Sequence, residues 1–316
     1  MTRYILRRAL LLLPTLLGMA LLIFLMVRLL PGDFVDALVG ADSTLSDEAR
    51  AELRRYYGLD QPLALQFVRW LGELARGDLG ISFRTRQPIG QILAQTLPIT
   101  VQLAVMSMIF STVVAVPLGV LSALRRNSQV DFWARVAGLI GLSLPNFWLA
   151  TLLLLFTSLA FRWVPPVVWV SPLNNLAVNL QQMILPTLAL SLQLIAVQMR
   201  MTRTAILEVL GQDYVRTARA KGLGERLVIY RHALRNALLP VVTVLGLQFG
   251  VLMGGSVIIE QIFGLPGVGW YLLQAIFNRD YPVIQVMALF LATTFVLINL
   301  CVDIVHGFLD PRISYG

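Results

Sequence analysis

Long apolar runs separated by short polar punctuation dominate the chain. A bilayer-spanning helix needs about 20 mostly apolar residues. Six runs reach that length, at about 9–30, 99–124, 136–161, 176–199, 238–263 and 283–305. They predict an all-α polytopic membrane protein with six transmembrane helices. A cleaved leader is the rival reading of the first run. Its apolar stretch is too long for a signal sequence and no small-x-small site follows it, so it reads as a retained helix with Arg28 placed to snorkel. Pro14, Pro117, Pro145, Pro186 and Pro240 fall inside the runs. Each frees a backbone carbonyl that a neighbour must satisfy, so each marks either an ordinary kink or a kink that shapes a central pathway.

The segment 32–98 between the first two runs has the pattern of a small helical subdomain outside the membrane. Ser46 suits an N-cap, Asp47 and Glu48 suit the positive end of the helix it opens, and Gly58 suits its end. A second helix, about 62–76, puts Leu63, Phe67, Trp70, Leu71 and Leu74 on one face, a stripe expected to pack on the membrane domain. Gly77 and Gly80 mark a tight turn after it.

Between the fourth and fifth runs lies DYVRTARAKGLGERLVIYRHALRNALLP, beginning at Asp213. Arg216, Arg219, Lys221, Arg226, Arg231 and Arg235 stand there against Asp213 and Glu225. It predicts a short helix to about Leu223, broken by Gly222 and Gly224, and a second helix from Glu225 into the fifth run. Ala218 and Ala220 are small and Gly222 has no side chain, so a partner backbone can approach closely. Positive-inside topology and contact with anionic headgroups account for some of this charge. They do not require a helix-turn-helix.

Charge changes the picture in three ways. The chain is 57% hydrophobic and 13% charged with a net charge of +8. Its basic residues cluster beside apolar runs, which argues against nucleic acid as the partner. The short loops on one side hold Arg3, Arg7, Arg8, Arg125, Arg126, Arg135, the basic residues from Arg200 to Arg235, and Arg312; those on the other hold only Arg162 and Arg279. The rule that positive loops stay inside then makes both termini and the basic loop cytoplasmic. Finally, Lys221 is the only lysine and sits between Ala220 and Gly222, so the chain has no Gly-Lys-Ser/Thr phosphate loop. Any ATP chemistry must come from another subunit. Cys301 is the only cysteine, which excludes an internal disulfide.

Several other residues carry possible chemistry. Glu260, near the outer end of the fifth run, is costly in an apolar setting. It reads equally as a pathway or gate residue, able to meet a substrate amine, and as a carboxylate snorkelling outward. Asn299, Asp303 and His306 suit hydrogen bonds between helices. The stretch 262–269 reads as an external turn, and Arg279 with Asp280 as a cap for the last span. A Ser256–His306 dyad would make an intramembrane hydrolase, but the two lie near opposite ends of their spans, and such a dyad needs hydrogen-bond reach. A self-sufficient channel or ion-coupled transporter is expected to carry ionisable groups in mid-membrane, whereas the charges here sit near span ends.

The chain resembles the inner-membrane permease subunits of bacterial ABC importers of the dipeptide, oligopeptide and nickel class, specifically the DppB/OppB type. The residues that carry the resemblance are LLPGDF near Arg28, GDLGIS from Gly77, DYVRTARAKGL from Asp213 and RHALRNALLP from Arg231. They continue with GGSVIIEQIFGLPGVG from Gly254, AIFNRDYPV from Ala275 and NLCVDIVHGFLDPR from Asn299. The resemblance implies a type I importer permease: 1–98 as first helix plus external segment, 99–306 as permease core with an EAA-like loop at 203–238, and 307–316 as a cytoplasmic tail. It also implies residence in a bacterial inner membrane and partnership with a second related permease, two cytoplasmic ATPases that hold ATP and Mg2+, and a periplasmic or lipid-anchored solute-binding protein. No catalytic, cofactor or metal residues are implied in this chain. Cargo would be di- or oligopeptides, with glutathione, nickel chelates or another small solute as alternatives.

In that class the EAA loop docks on the ATPase. With Gly222 as the motif glycine, Arg216, Thr217 and Ala218 take the EAA positions and Leu234 and Arg235 the Leu-Pro positions. The general glutamate and proline are thus arginines here. The implied coupling residues are Arg216, Thr217, Ala218, Arg219, Ala220, Lys221, Gly222, Leu223 and Gly224.

Overall fold

The structure is a computed structural model that describes residues 2–29, 32–39 and 46–309. The tail 310–316, with Arg312, and Leu30 and Pro31 of the LLPGDF motif lie outside the described residues, as do the side chains of Arg3, Arg7 and His306. Apart from an isolated antiparallel bridge between Ile81 and Pro88, the regular structure among the described residues is helical. The helices are α1 (Thr2–Arg28), α2 (Phe34–Val39), α3 (Asp47–Tyr56), α4 (Leu63–Ala75), α5 (Ile89–Leu124), α6 (Gln129–Ser143) and α7 (Asn146–Phe161). They continue with α8 (Leu176–Leu210), α9 (Asp213–Ala220), α10 (Glu225–Leu227), α11 (Leu234–Gly255), α12 (Val257–Phe263), α13 (Val268–Phe277) and α14 (Tyr281–Leu309).

Four helices, within α1, α5, α8 and α14, are long and apolar enough to cross a membrane, and two bent pairs bring the number to six. The bends depart from the expected straight spans. The run 136–161 is two helices, α6 and α7, set at 99° to one another. Pro145 explains this: it lacks an N–H and pushes the preceding residue out of the helical region, and Leu144 is extended at φ −85°, ψ 121°. The expected fifth span is interrupted twice. The chain bends by 45° next to Pro240, and α11 ends at Gly255 before α12 begins. Pro14, Pro117 and Pro186 lie inside unbroken helices.

The chain forms two compact units. One comprises Val101–Leu265 with α14 from Leu297 onward. Its centre is α8, on which α6, α7, α11 and α12 pack. Burial reflects this: 56% of the apolar window of α8 is buried against 17% of that of α1. Lipid tails are as apolar as leucine, so helices in a membrane associate through close backbone approach and hydrogen bonds instead. Both devices are present. A Cβ at Gly119 of α5 would lie 2.7 Å from the Met199 carbonyl and from Thr202 Cβ on α8, so only glycine permits that crossing. Ser191 Oγ donates to the Ser107 carbonyl at 3.2 Å. Gln198 Nε2, on a fully buried residue, donates to Gln248 Oε1 at 2.8 Å and to Ser111 Oγ at 3.1 Å.

The other unit comprises Thr2–Thr100 and Pro266–Val296. As the sequence suggests, Ser46 caps α3, its hydroxyl accepting from Ala49 N, and Gly58 follows that helix with φ +66°. The stripe on α4 packs on α1, with Phe67 and Trp70 ring centroids 5.3 and 6.1 Å from Phe24. Leu63 departs from the expected stripe and is half exposed, while Gln66 is buried and donates to the Gln61 carbonyl at 2.7 Å. Asp280 was expected to cap the last span. Its carbonyl does accept from Ile284 N, but its buried side chain accepts from Ser82 Oγ, Phe83 N and Arg84 N, pinning the turn after Gly80. Asp33 and Asp36 both receive Arg54, at 2.6 and 2.8 Å.

Candidate functional site

The basic loop folds as two short helices that turn back on each other. α9 is held to its own chain along one narrow line. Val215 and Ala218, three positions apart, are buried against Val228, with Leu223 and Leu210 beside them. Asn236 Nδ2 donates to Tyr214 Oη at 2.8 Å. Across the turn, Arg219 meets Glu225 through two parallel bonds, Nη2 to Oε1 at 2.6 Å and Nε to Oε2 at 3.1 Å. Those bonds raise the Arg219 pKa above its ordinary value.

Gly222 sits at the turn with φ +77°, a left-handed conformation open to glycine at no steric cost. Nothing lies within 4 Å of where its Cβ would be. This chain therefore needs glycine there for backbone conformation, and the space above it is clear. Arg216, Thr217, Arg219, Ala220, Lys221, Gly222 and Gly224 are exposed. Ala218 and Leu223 turn inward, which corrects the expectation that Ala218 offers a surface to a partner; its small size serves its own contact with Val228. The second helix is also less regular than its sequence suggests. Val228–Ala233 is a π-helical turn between α10 and α11, a wide turn that recurs at functional sites.

Glu260 is fully buried, in α12, and Ser256 Oγ donates to its Oε1 at 2.9 Å. The snorkelling alternative is thereby removed. Ser256 gives its hydroxyl proton to Glu260, whereas the side chain of His306, the other member of the expected dyad, lies outside the described residues.

Sequence reasoning missed a buried ion pair. Asp131, in the first turn of α6, is fully buried and accepts from Arg203 of α8 twice, from Ser122 Oγ at 2.7 Å and from Asn127 N at 3.0 Å. In the sequence alone, Arg203 and Arg135 signal only topology. The available clue was Ser128 three residues before a carboxylate at the start of an apolar run, a capping pattern.

An all-helical chain of broken and long apolar spans, carrying an exposed cationic helix-turn-helix between two of them, defines a multi-pass membrane protein. The comparisons sharpen that class. The model of the N-terminal part of binding-protein-dependent transport system membrane components matches residues 1–104, and that of binding-protein-dependent transport system inner membrane components matches residues 115–315. The chain belongs to this family, the membrane permease subunits of ABC transporters, and not to the family of their ATPases. It is 40% identical to the dipeptide transport system permease protein DppB of Alkalihalophilus pseudofirmus, over 100% of both chains. It is likewise 40% identical to DppB of Escherichia coli K12, over 100% of this chain and 99% of that one. Among solved structures, the inward-facing MetNI methionine ABC transporter superposes with a TM-score of 0.59 at 19% identity, covering 71% of this chain and 99% of that one, which establishes the shared fold.

Proposed function

We propose that this chain is the translocation subunit of a peptide importer, forming half of a membrane pathway with a second, related permease. Peptides are delivered by an external solute-binding protein. Two cytoplasmic ATPases, holding ATP and Mg2+, drive the cycle by docking on the surface around α9 and Gly222. Both termini lie in the cytoplasm with that loop. The observation that carries the reading is the mode of attachment of α9: only Val215 and Ala218 are buried, so Arg216, Thr217, Arg219, Ala220, Lys221 and Gly222 present one uncovered cationic face. Peptide as cargo draws on the dipeptide permeases to which the chain is similar along its whole length. Glu260, buried and held by Ser256, belongs in this reading to a closed gate.

The test is reconstitution. Tagged chain, second permease, ATPases and binding protein are placed in proteoliposomes and uptake of labelled dipeptides is followed. ATP-dependent uptake that needs every component supports the proposal. A chain that transports alone, or that purifies without a stoichiometric ATPase, overturns it.

A further inference from the structure

The unit containing α1–α4 holds a pocket of about 280 Å³ that the transport reading does not use. Arg28 lines it, at the end of α1, and so does Tyr281, at the start of α14. Both positions are ends of membrane spans, the depth at which headgroups lie. The Arg28 guanidinium stands over the Phe24 and Tyr281 rings, 5.3 and 4.8 Å from their centroids. It forms no salt bridge among the described residues, and its buried Nε has no hydrogen-bond partner there.

Two more of the lining side chains hold buried donors without partners. They are Trp70 Nε1 and Gln285 Nε2, the latter on a residue only 4% exposed. A buried donor left without a partner is costly and rare, so three around one pocket indicate a missing acceptor. Arg55 and Arg69 also line the pocket, and its one carboxylate, Glu73, is already paired with Arg69 at 3.3 Å. The missing acceptor is therefore anionic.

We infer that this pocket binds the phosphate oxyanion of an anionic phospholipid headgroup, with Arg28 as its charge partner. The surroundings favour a lipid as the source. On α1, Leu22 and Met26 are 62% and 69% exposed, and on α4 Leu65 and Val68 are 53% and 64% exposed, which gives acyl chains an apolar surface. α4 combines an apolar composition with Arg69, and Arg76 at its C-cap, as a helix lying in the interface does. Gln66 Oε1, also buried without a partner and on a lining residue, suits a headgroup hydroxyl, as in phosphatidylglycerol.

The full-length chain in phosphatidylcholine nanodiscs is titrated with phosphatidylglycerol, and separately with inorganic phosphate, while retained lipid is read by native mass spectrometry and stability by thermal melting. Wild type is expected to retain phosphatidylglycerol and melt higher with it. Arg28→Gln should shift the titration midpoint at least about tenfold, the loss of a hydrogen-bonded charge, and Trp70→Phe, which keeps the ring and removes the donor, by less. Equal stabilisation by inorganic phosphate, lost in Arg28→Gln, supports the oxyanion site and identifies a free anion as its source. Wild-type midpoints in both variants overturn the inference. Should Arg28→Gln fail to insert, an unchanged midpoint in Trp70→Phe overturns it alone.

Discussion

Arg203 grips Asp131 at two points, Nε to Oδ1 at 2.7 Å and Nη2 to Oδ2 at 2.9 Å, and so ties the first turn of α6 to α8, at the end of α6 opposite its 99° break with α7. Asp131 is fully buried, so without Arg203 its charge is left to Ser122, Asn127 and the longer contact of Arg135 at 3.6 Å. Asp131→Ala is expected to destabilise the chain by about 3–5 kcal/mol. Arg203→Met should cost a comparable amount, and the double variant less than the sum of the two. Thermal melting of the purified variants in detergent checks this; a single variant melting like wild type would remove the pair from the structural core.

How much of this was legible in the sequence depends on what each signal measures. Apolar length sees span content but not backbone direction, so Pro145 appeared as a possible kink and not as a near right angle. The Gly254–Ser256 break was hidden for the same reason, since glycines inside an apolar run leave its hydropathy intact. Caps were legible because they are local: Ser46 acts on Ala49, three residues away. The Asp131–Arg203 pair was not, because its partners are 72 positions apart and each alone has an ordinary local explanation. At the basic loop, the exposed positions followed from charge, while the inward turn of Ala218 required knowing where Val228 packs.

Gly222→Val is expected to impair ATPase docking while leaving insertion intact. Its φ of +77° costs a β-branched residue roughly 1–2 kcal/mol. Because nothing within this chain crowds the position, the remaining penalty falls on whatever binds above it. ATPase recovered by pull-down should drop about tenfold, with each 1.4 kcal/mol worth a factor of ten, at unchanged membrane yield. Full recovery of the ATPase would argue that docking lies elsewhere.

The Asp33–Arg54 contact predicts an acid-sensitive segment. Burial alone would raise the Asp33 carboxyl, but hydrogen bonds from Arg54 and from the Asp36 backbone outweigh it and hold the pKa below the ordinary value. A depressed folded pKa contributes stability that is fully present above the unfolded value, about 3.9, and fades as pH falls through the folded one. With Arg54 more than a third exposed, solvent screening keeps the gain to about 1 kcal/mol or less. Wild type should therefore melt above Arg54→Met by a constant margin at neutral pH, and the margin should shrink below about pH 4. A margin that grows on acidification would contradict the assignment.

Asp280 serves the turn at 82–84 more than the helix it opens. Its carboxylate accepts the Ser82 hydroxyl and the Phe83 and Arg84 amides, the amides at 3.0 and 3.3 Å, and Thr85 N in turn donates to Ser82 Oγ at 2.9 Å. Asp280→Ala deletes the hub of that network, and buried donors left without a partner cost about 1–3 kcal/mol each. Asp280→Asn keeps an acceptor oxygen but loses the charge and half the acceptor capacity, so it should fall between alanine and wild type. Hydrogen exchange at the Phe83 and Arg84 amides is the direct readout. Both should exchange at least about tenfold faster in Asp280→Ala, as expected for losing charge-assisted bonds, with the rest of α14 unchanged. Equal acceleration along all of α14 would instead show that Asp280 acts as a helix cap, and that the turn is held by Ser82 without it.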